Sequence, residues 1–166
     1  MIKNKKRVKN IVKAIKELNI FENFCIKNKE KIVFMCVGNS KVWYDSFGPI
    51  VGSLLTNTYK IKSYVYGNCE KNITRTNLLS YINFIKTKHF NKKIIVIDSA
   101  INDSPDIKIV VFRKGGVVCA YYENNVGIGD MGILCPVKTI ESETNNIKKI
   151  VSLAMTISFI ISKILC

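Results

Sequence analysis

Apolar residues run without interruption through Ile32–Val37 (IVFMCV) and Ile94–Ile97 (IIVI). Neither run alternates with polar residues, which is the pattern of strands buried on both faces of a parallel sheet. The first ends at Gly38 and the second at Asp98. Between and around them the period changes. Val8, Ile11, Val12, Ile15, Leu18 and Phe21 recur at helical spacing with lysines on the opposite face, predicting an amphipathic helix over about residues 4–24. "PIVGSLLTNTY" (49–59) opens with a proline suited to a first helical turn. "SYVYG" (63–67) reads as a short strand, and Ile73, Leu78, Leu79, Ile82 and Ile85 place a helix over 73–88.

The second half is richer in strands. "IKIVVFR" (107–113) and "VVCAYY" (117–122) flank Lys114-Gly115-Gly116, predicting a hairpin-like pair, and "GDMGILCPV" (129–137) reads as the last strand. A helix over about 142–165 closes the pattern. Strands alternating with helices imply a mixed, mostly parallel sheet with helices on both faces. No repeat or linker divides residues 1–166, so one α/β domain is expected.

Composition narrows the function classes. The chain carries a net charge of +14, yet Arg7, Arg75 and Arg113 are its only arginines. Residues 1–31 hold ten bases against Glu17, Glu22 and Glu30. Such a surface attracts polyanions, but scarce arginine and the lack of any nucleic-acid-binding signature argue against base readout. The basic N-terminal segment is the place where nucleic acid or an anionic membrane surface would bind. The six cysteines form no C-x-x-C pair, and no secretory signal is visible, so a reducing cytoplasmic compartment is expected. The apolar stretch Ile150–Ile161 is too short for a membrane span, which needs about 20 residues. It is expected to lie on the sheet.

Open α/β sheets place their sites at the carboxyl ends of strands. Two aspartates fall there: Asp45, in the loop after the first strand, and Asp98, ending "IIVID". Each has a structural role open to it, Asp45 at a helix start and Asp98 in a turn. If the strands are neighbours, the carboxylates converge, and two close carboxylates do not both ionise easily. One then keeps a proton while the other activates water. Asp130, in "VGIGDMG", is a third candidate whose alternative role is a turn before a strand. His89 is the one histidine, set in the lysine-rich "KTKHFNKK" and expected to be a solvated helix-end residue. There is no phosphate-binding loop and no dinucleotide fingerprint. Neither a metal nor a cofactor is expected.

"VGNSKVWYDSFGPIVGSLL", "IIVIDSA" and "VGIGDMGILCPV", in that order, resemble the YyaC family of sporulation proteins over about Lys31–Ile164. That family is similar to the spore germination protease and, more distantly, to hydrogenase-maturation endopeptidases. The resemblance implies a three-layer α/β/α sandwich of the phosphorylase/hydrolase-like kind. It implies a sporulation-associated peptidase whose aspartates fall on Asp45 and Asp98, with the loop shaped by Gly38, Asn39, Gly48 and Pro49. It also implies a spore protein as substrate, such as a small acid-soluble one, and a forespore or mother-cell location. Where the family commonly reads Gly-Asp-x-His-x-x-Gly, this chain has Gly129–Cys135 without histidine, and 114–125 lacks the usual Pro-Gly-rich form. These departures motivate the alternative of a protease-like interaction protein without activity.

Overall fold

In a computed structural model, the described residues are 2–102, 110–118, 127–138 and 142–165, with side chains from residue 12 onward. Five strands form one sheet: β1 (Ile32–Cys36), β2 (Tyr64–Tyr66), β3 (Lys93–Ile101), β4 (Val111–Lys114) and β5 (Met131–Val137). Their order is β2-β1-β3-β5-β4. The first four pair in parallel, while β4 runs antiparallel along β5 at the far edge. The helices are α1 (Ile2–Lys27), α2 (Phe47–Ser53), α3 (Leu78–Lys88) and α4 (Glu143–Leu165).

The uninterrupted runs are buried on both faces, as their composition requires. Every residue of β1 is buried, with Ile32, Phe34 and Cys36 facing one core and Val33 and Met35 the other. The first core is closed by Phe21 and Cys25 of α1, Phe47 and Val51 of α2, and Ile150, Ala154, Ile157 and Ile161 of α4. The second is closed by Leu78, Ile82 and Ile85 of α3. The architecture is therefore a three-layer α/β/α sandwich around a mixed sheet. From β1 the chain passes through α2 to β2 on one side, then through α3 on the opposite face to β3 on β1's other side. The direction of winding thus reverses between β1 and β3, and open sheets bind ligands at that reversal.

Several elements differ from their sequence patterns. Val111–Lys114 pairs with β5, Val111 opposite Leu134, and Val117 bridges Ile128. Residues 103–109 and 119–126, which held the rest of that expected hairpin and Cys119, lie outside the described residues, as does Cys166. The helix expected over 73–88 begins at Leu78. The Asn77 side chain accepts the Thr74 N–H at 2.8 Å and donates to the Asn72 carbonyl at 3.0 Å, so a side-chain turn replaces the first helical turn. Ile73 meanwhile bridges Val37 as an extension of the sheet. In α1, Leu18, Phe21, Phe24 and Cys25 carry the packing, while Val12 and Ile15 are exposed. Among the described side chains of that stripe, Leu18 and Phe21 lie over the core and Val12 and Ile15 do not. No described helix is long and apolar enough to cross a membrane.

His89 is not solvated. It is 6 % exposed, its Nε2 lies 2.8 Å from the Tyr66 hydroxyl, and its ring sits 4.4 Å from that of Tyr64. Burial and the neighbouring Lys88 and Lys92 hold its pKa below the usual value. The lysines that surround it in sequence are not what it packs against.

Candidate active site

Parallel pairing of β1 with β3 sets the geometry. Cys36 lies opposite Ile97, and the Val37 N–H donates to the Ile97 carbonyl at 2.8 Å. The two strands thus end side by side. Beyond Val37 the chain turns sharply at Gly38, whose φ of +136° is a conformation that residues with a Cβ rarely adopt. A Cβ there would also strike the Asp45 carbonyl. That carbonyl accepts the Asn39 N–H at 2.9 Å, so the loop closes on its own start. The Asn39 side chain accepts the Lys41 N–H at 3.0 Å, an Asx turn that folds the loop tip. A single 3-10 turn, Trp43–Asp45, follows, with Trp43 packed on the first core. Its carbonyl accepts the Ser46 hydroxyl at 2.9 Å.

Helix α2 then begins at Phe47, two residues ahead of the expected proline start. Pro49 is buried within its first turn, where a missing N–H leaves no helical bond unmade. Gly48 is the tightest position of the site. A Cβ on it would meet the carbonyls of both Val37 and Ile97, the ends of the two central strands. Only glycine lets the helix start rest directly on the strand ends, and this contact carries Asp45 over to β3.

Asp98, opposite Leu134 in the β3–β5 register, is the first polar residue after the buried run of β3. One of its oxygens accepts the Ser99 N–H at 2.7 Å. Burial, then the charge of Asp45, push its pKa up to about 8, with the Ser99 bond opposing. Burial also raises the pKa of Asp45, opposed by the Asn39 N–H. Among the described residues, no lysine or arginine contributes to either shift. The structure therefore brings Asp45 and Asp98 into electrostatic contact, as neighbouring strand ends allow. Of the two, Asp98 is the carboxyl pushed further toward its protonated form, and Asp45 is the less perturbed partner.

Gly38, Asn39, Gly48 and Pro49 all lie in this loop and helix start. Asp130 does not. It sits at the opposite, amino end of the sheet, where its carboxylate accepts Lys93 Nζ at 2.8 Å and the Ile94 N–H at 2.9 Å. Four residues of strand, about 13 Å, separate the level of Asp130 from that of Asp98. Supports of the site that sequence reading did not single out are Ile73, whose carbonyl accepts the Gly38 N–H at 2.8 Å, and Asn72 and Cys69, which hold Ser40. No local pattern marks these partners, which are some thirty residues from the loop in sequence.

Among the described residues, no three His, Cys, Asp or Glu side chains come together. Gly132 occupies the position where the resembled family commonly has histidine. A Cβ there would lie 2.8 Å from a Val117 methyl and 2.9 Å from the Gly116 carbonyl, so the space for an imidazole is already filled.

A family model described as "Protein of unknown function (DUF1256)" matches residues 2–164, and the chain belongs to that family. YyaC of Bacillus subtilis (strain 168), described as uncharacterized, is 31% identical over 70 residues, 42% of this chain and 34% of that protein's length. The YyaC resemblance carried by the motifs thus holds. The crystal structure of the NiFe hydrogenase maturation protease HycI from Thermococcus kodakarensis KOD1 matches with a TM-score of 0.50 at 17% identity, covering 79% of this chain and 92% of that one. At that identity the likeness is one of fold alone.

Proposed function

We propose that this DUF1256-family chain is a peptidase that hydrolyses a peptide bond with the Asp45/Asp98 pair. The observation that carries the reading is the mutual repulsion of two carboxylates, Asp45 and Asp98, at the neighbouring ends of β1 and β3, where the winding of the sheet reverses. Unequal carboxylates in contact divide acid and base roles between them. Asp45, ionised, takes a proton from water as its oxygen attacks the carbonyl carbon. Asp98, protonated, donates a hydrogen bond to the carbonyl oxygen and then gives its proton to the leaving nitrogen as the C–N bond breaks. Transfer of the water's proton from Asp45 to Asp98 resets the pair. The products are a carboxylic acid and an amine, and no further reactant is needed.

By resemblance, the substrate is a protein of the spore, cleaved in the forespore or mother cell. The excess of lysine suits an acidic substrate drawn in by the protein's field, so cleavage should slow as salt rises. The test is mass-spectrometric detection of new peptide termini in a spore-protein extract incubated with the protein across a pH series. Termini absent with Asp45→Asn and with Asp98→Asn, both verified as folded, are the expected result. Termini that persist in both variants would overturn the pair.

A second reading, a protease-like interaction protein without catalysis, is favoured by one observation: the Gly116 backbone and a Val117 methyl fill the space beside Gly132. In that case Asp45→Asn leaves function in a spore-forming cell intact.

A further inference from the structure

Strand β2 is the sheet's edge, paired among the described residues with β1 alone. Two cavities lie against it. One, of about 540 Å³, is lined by Lys29, Lys60, Lys62, Lys92 and Tyr64, with Glu30 as its one acidic residue. The other, of about 580 Å³, lies along Val65–Asn68 and is walled by Tyr66, Tyr81, Phe84 and Lys71. Tyr64 and Tyr66 project to the α3 side, where the buried His89 fixes both: it bonds the Tyr66 hydroxyl and packs on the Tyr64 ring. Lys92 is held between the Glu30 carbonyl, at 3.0 Å, and the Tyr64 ring, 5.6 Å away. Tyr64 is 50 % exposed and Phe84 46 %.

We propose that the outer edge of β2 is a docking strand for an extended acidic polypeptide. Its carboxylates occupy the lysine cavity and an aromatic or branched apolar side chain occupies the Tyr66/Phe84 cavity. In naming this polypeptide the substrate, the inference rests on the peptidase reading; the docking itself does not. Strand addition draws affinity from main-chain hydrogen bonds and selectivity from pockets for alternate side chains. Short edges flanked by lysine also occur simply as guards against aggregation. Guarding lysines need only reach solvent, whereas these converge from three separate segments on one cavity, next to a fixed aromatic wall. No arginine lines either cavity, which favours simple charge pairing with carboxylates over forked recognition of phosphate.

The route onward is also set. Because β1, β2 and β3 are parallel, the Gly67 end of β2 lies at the same end of the sheet as Asp45 and Asp98. There Cys69 and Asn72 bond Ser40 of the Asp45 loop, so a chain leaving the edge arrives beside that loop. Tyr64, which lines the lysine cavity, and Tyr66, which lines the aromatic one, are about 7 Å apart along the strand, which places the acidic residues about two positions from the apolar anchor.

The test is fluorescence anisotropy on the full chain carrying Asp45→Asn, which blocks cleavage. The probe is a short labelled peptide with a glutamate block and a phenylalanine two residues away. Lys62→Glu combined with Lys71→Glu, both exposed positions, should weaken binding at least ~10-fold, and Phe84→Ser about 3-fold. A peptide N-methylated at alternate amides, unable to pair with the edge, should also lose at least ~10-fold. Equal binding of the N-methylated peptide overturns strand addition. Equal binding of single-stranded DNA with the same lysine dependence overturns the acidic polypeptide in favour of a general polyanion patch. If peptides bind as expected but the wild-type protein cleaves nothing, docking stands and the peptidase reading falls. If cleavage continues undiminished in the double lysine variant, the peptidase stands and the docking strand falls.

Discussion

At the amino ends of β3 and β5, Asp130 accepts Lys93 Nζ and the Ile94 N–H; at the carboxyl ends, Asp98 accepts one N–H and otherwise faces Asp45. Both aspartates sit at the margin of the same buried sheet, and both are next to glycine-dependent turns. The difference lies in the partner. A carboxylate given a cation and a main-chain donor is satisfied in its charged form and has only a structural role. One part-buried beside a second carboxylate is not satisfied that way, and its pKa is pushed up toward the protonated form. Such a group is costly to hold at neutral pH and is useful only where a proton has to be given up.

Substitutions should separate the two ends sharply. Asp45→Asn or Asp98→Asn should lower the cleavage rate by about 10²–10⁴-fold, the contribution of a positioned acid or base, while Asp130→Asn leaves it unchanged in the same termini assay. Gly48→Ala forces the α2 start away from the Val37 and Ile97 carbonyls and should cost about 2–4 kcal/mol in denaturant unfolding, with loss of cleavage. The pH responses differ as well. Between its ordinary value of 3.8 and about 8, native Asp98 retains a proton that the unfolded chain has released, so it subtracts stability increasingly as pH rises through that window. Asp98→Asn removes this loss, so its melting temperature should exceed that of the wild type above about pH 8 and match it near pH 4. Cleavage should fall on the alkaline side as Asp98 ionises near pH 8 and on the acid side as Asp45 gains its proton. At the amino end the effects are small. Asp130→Asn should cost about 1–2 kcal/mol for the lost main-chain bond, and Lys93→Ala less than about 1 kcal/mol, because that ion pair is partly exposed.

The same contrast marks how far the sequence could be read. β1, β3 and β5 were legible because strands buried on both faces must be apolar at every position. Asp45 and Asp98 stood out against those runs as the first charges after them. Whether a third carboxylate had a cation was not legible, because Lys93 and Asp130 meet only through the β3–β5 register. His89 was misread for a similar reason. Its sequence neighbours are lysines and its spatial neighbours are tyrosines. The pairing of β4 with β5 was not legible, because turn chemistry shows where a chain bends and not which strand then lies beside it.

Pairing of β1 with β3 has a consequence for the order of folding. Ile32 must find Lys93, about sixty residues along, before Val37 can bond Ile97 and Gly48 can seat on both strand ends. Closing a loop of that length is entropically expensive and comes late relative to local helices and turns. The carboxylate pair therefore comes into being only with the most distant contact in the centre of the sheet. A nascent or partly collapsed chain, however much helix it has formed, holds two separate and unremarkable aspartates, and on the proposed peptidase reading hydrolytic capacity would come only with completion of the sheet.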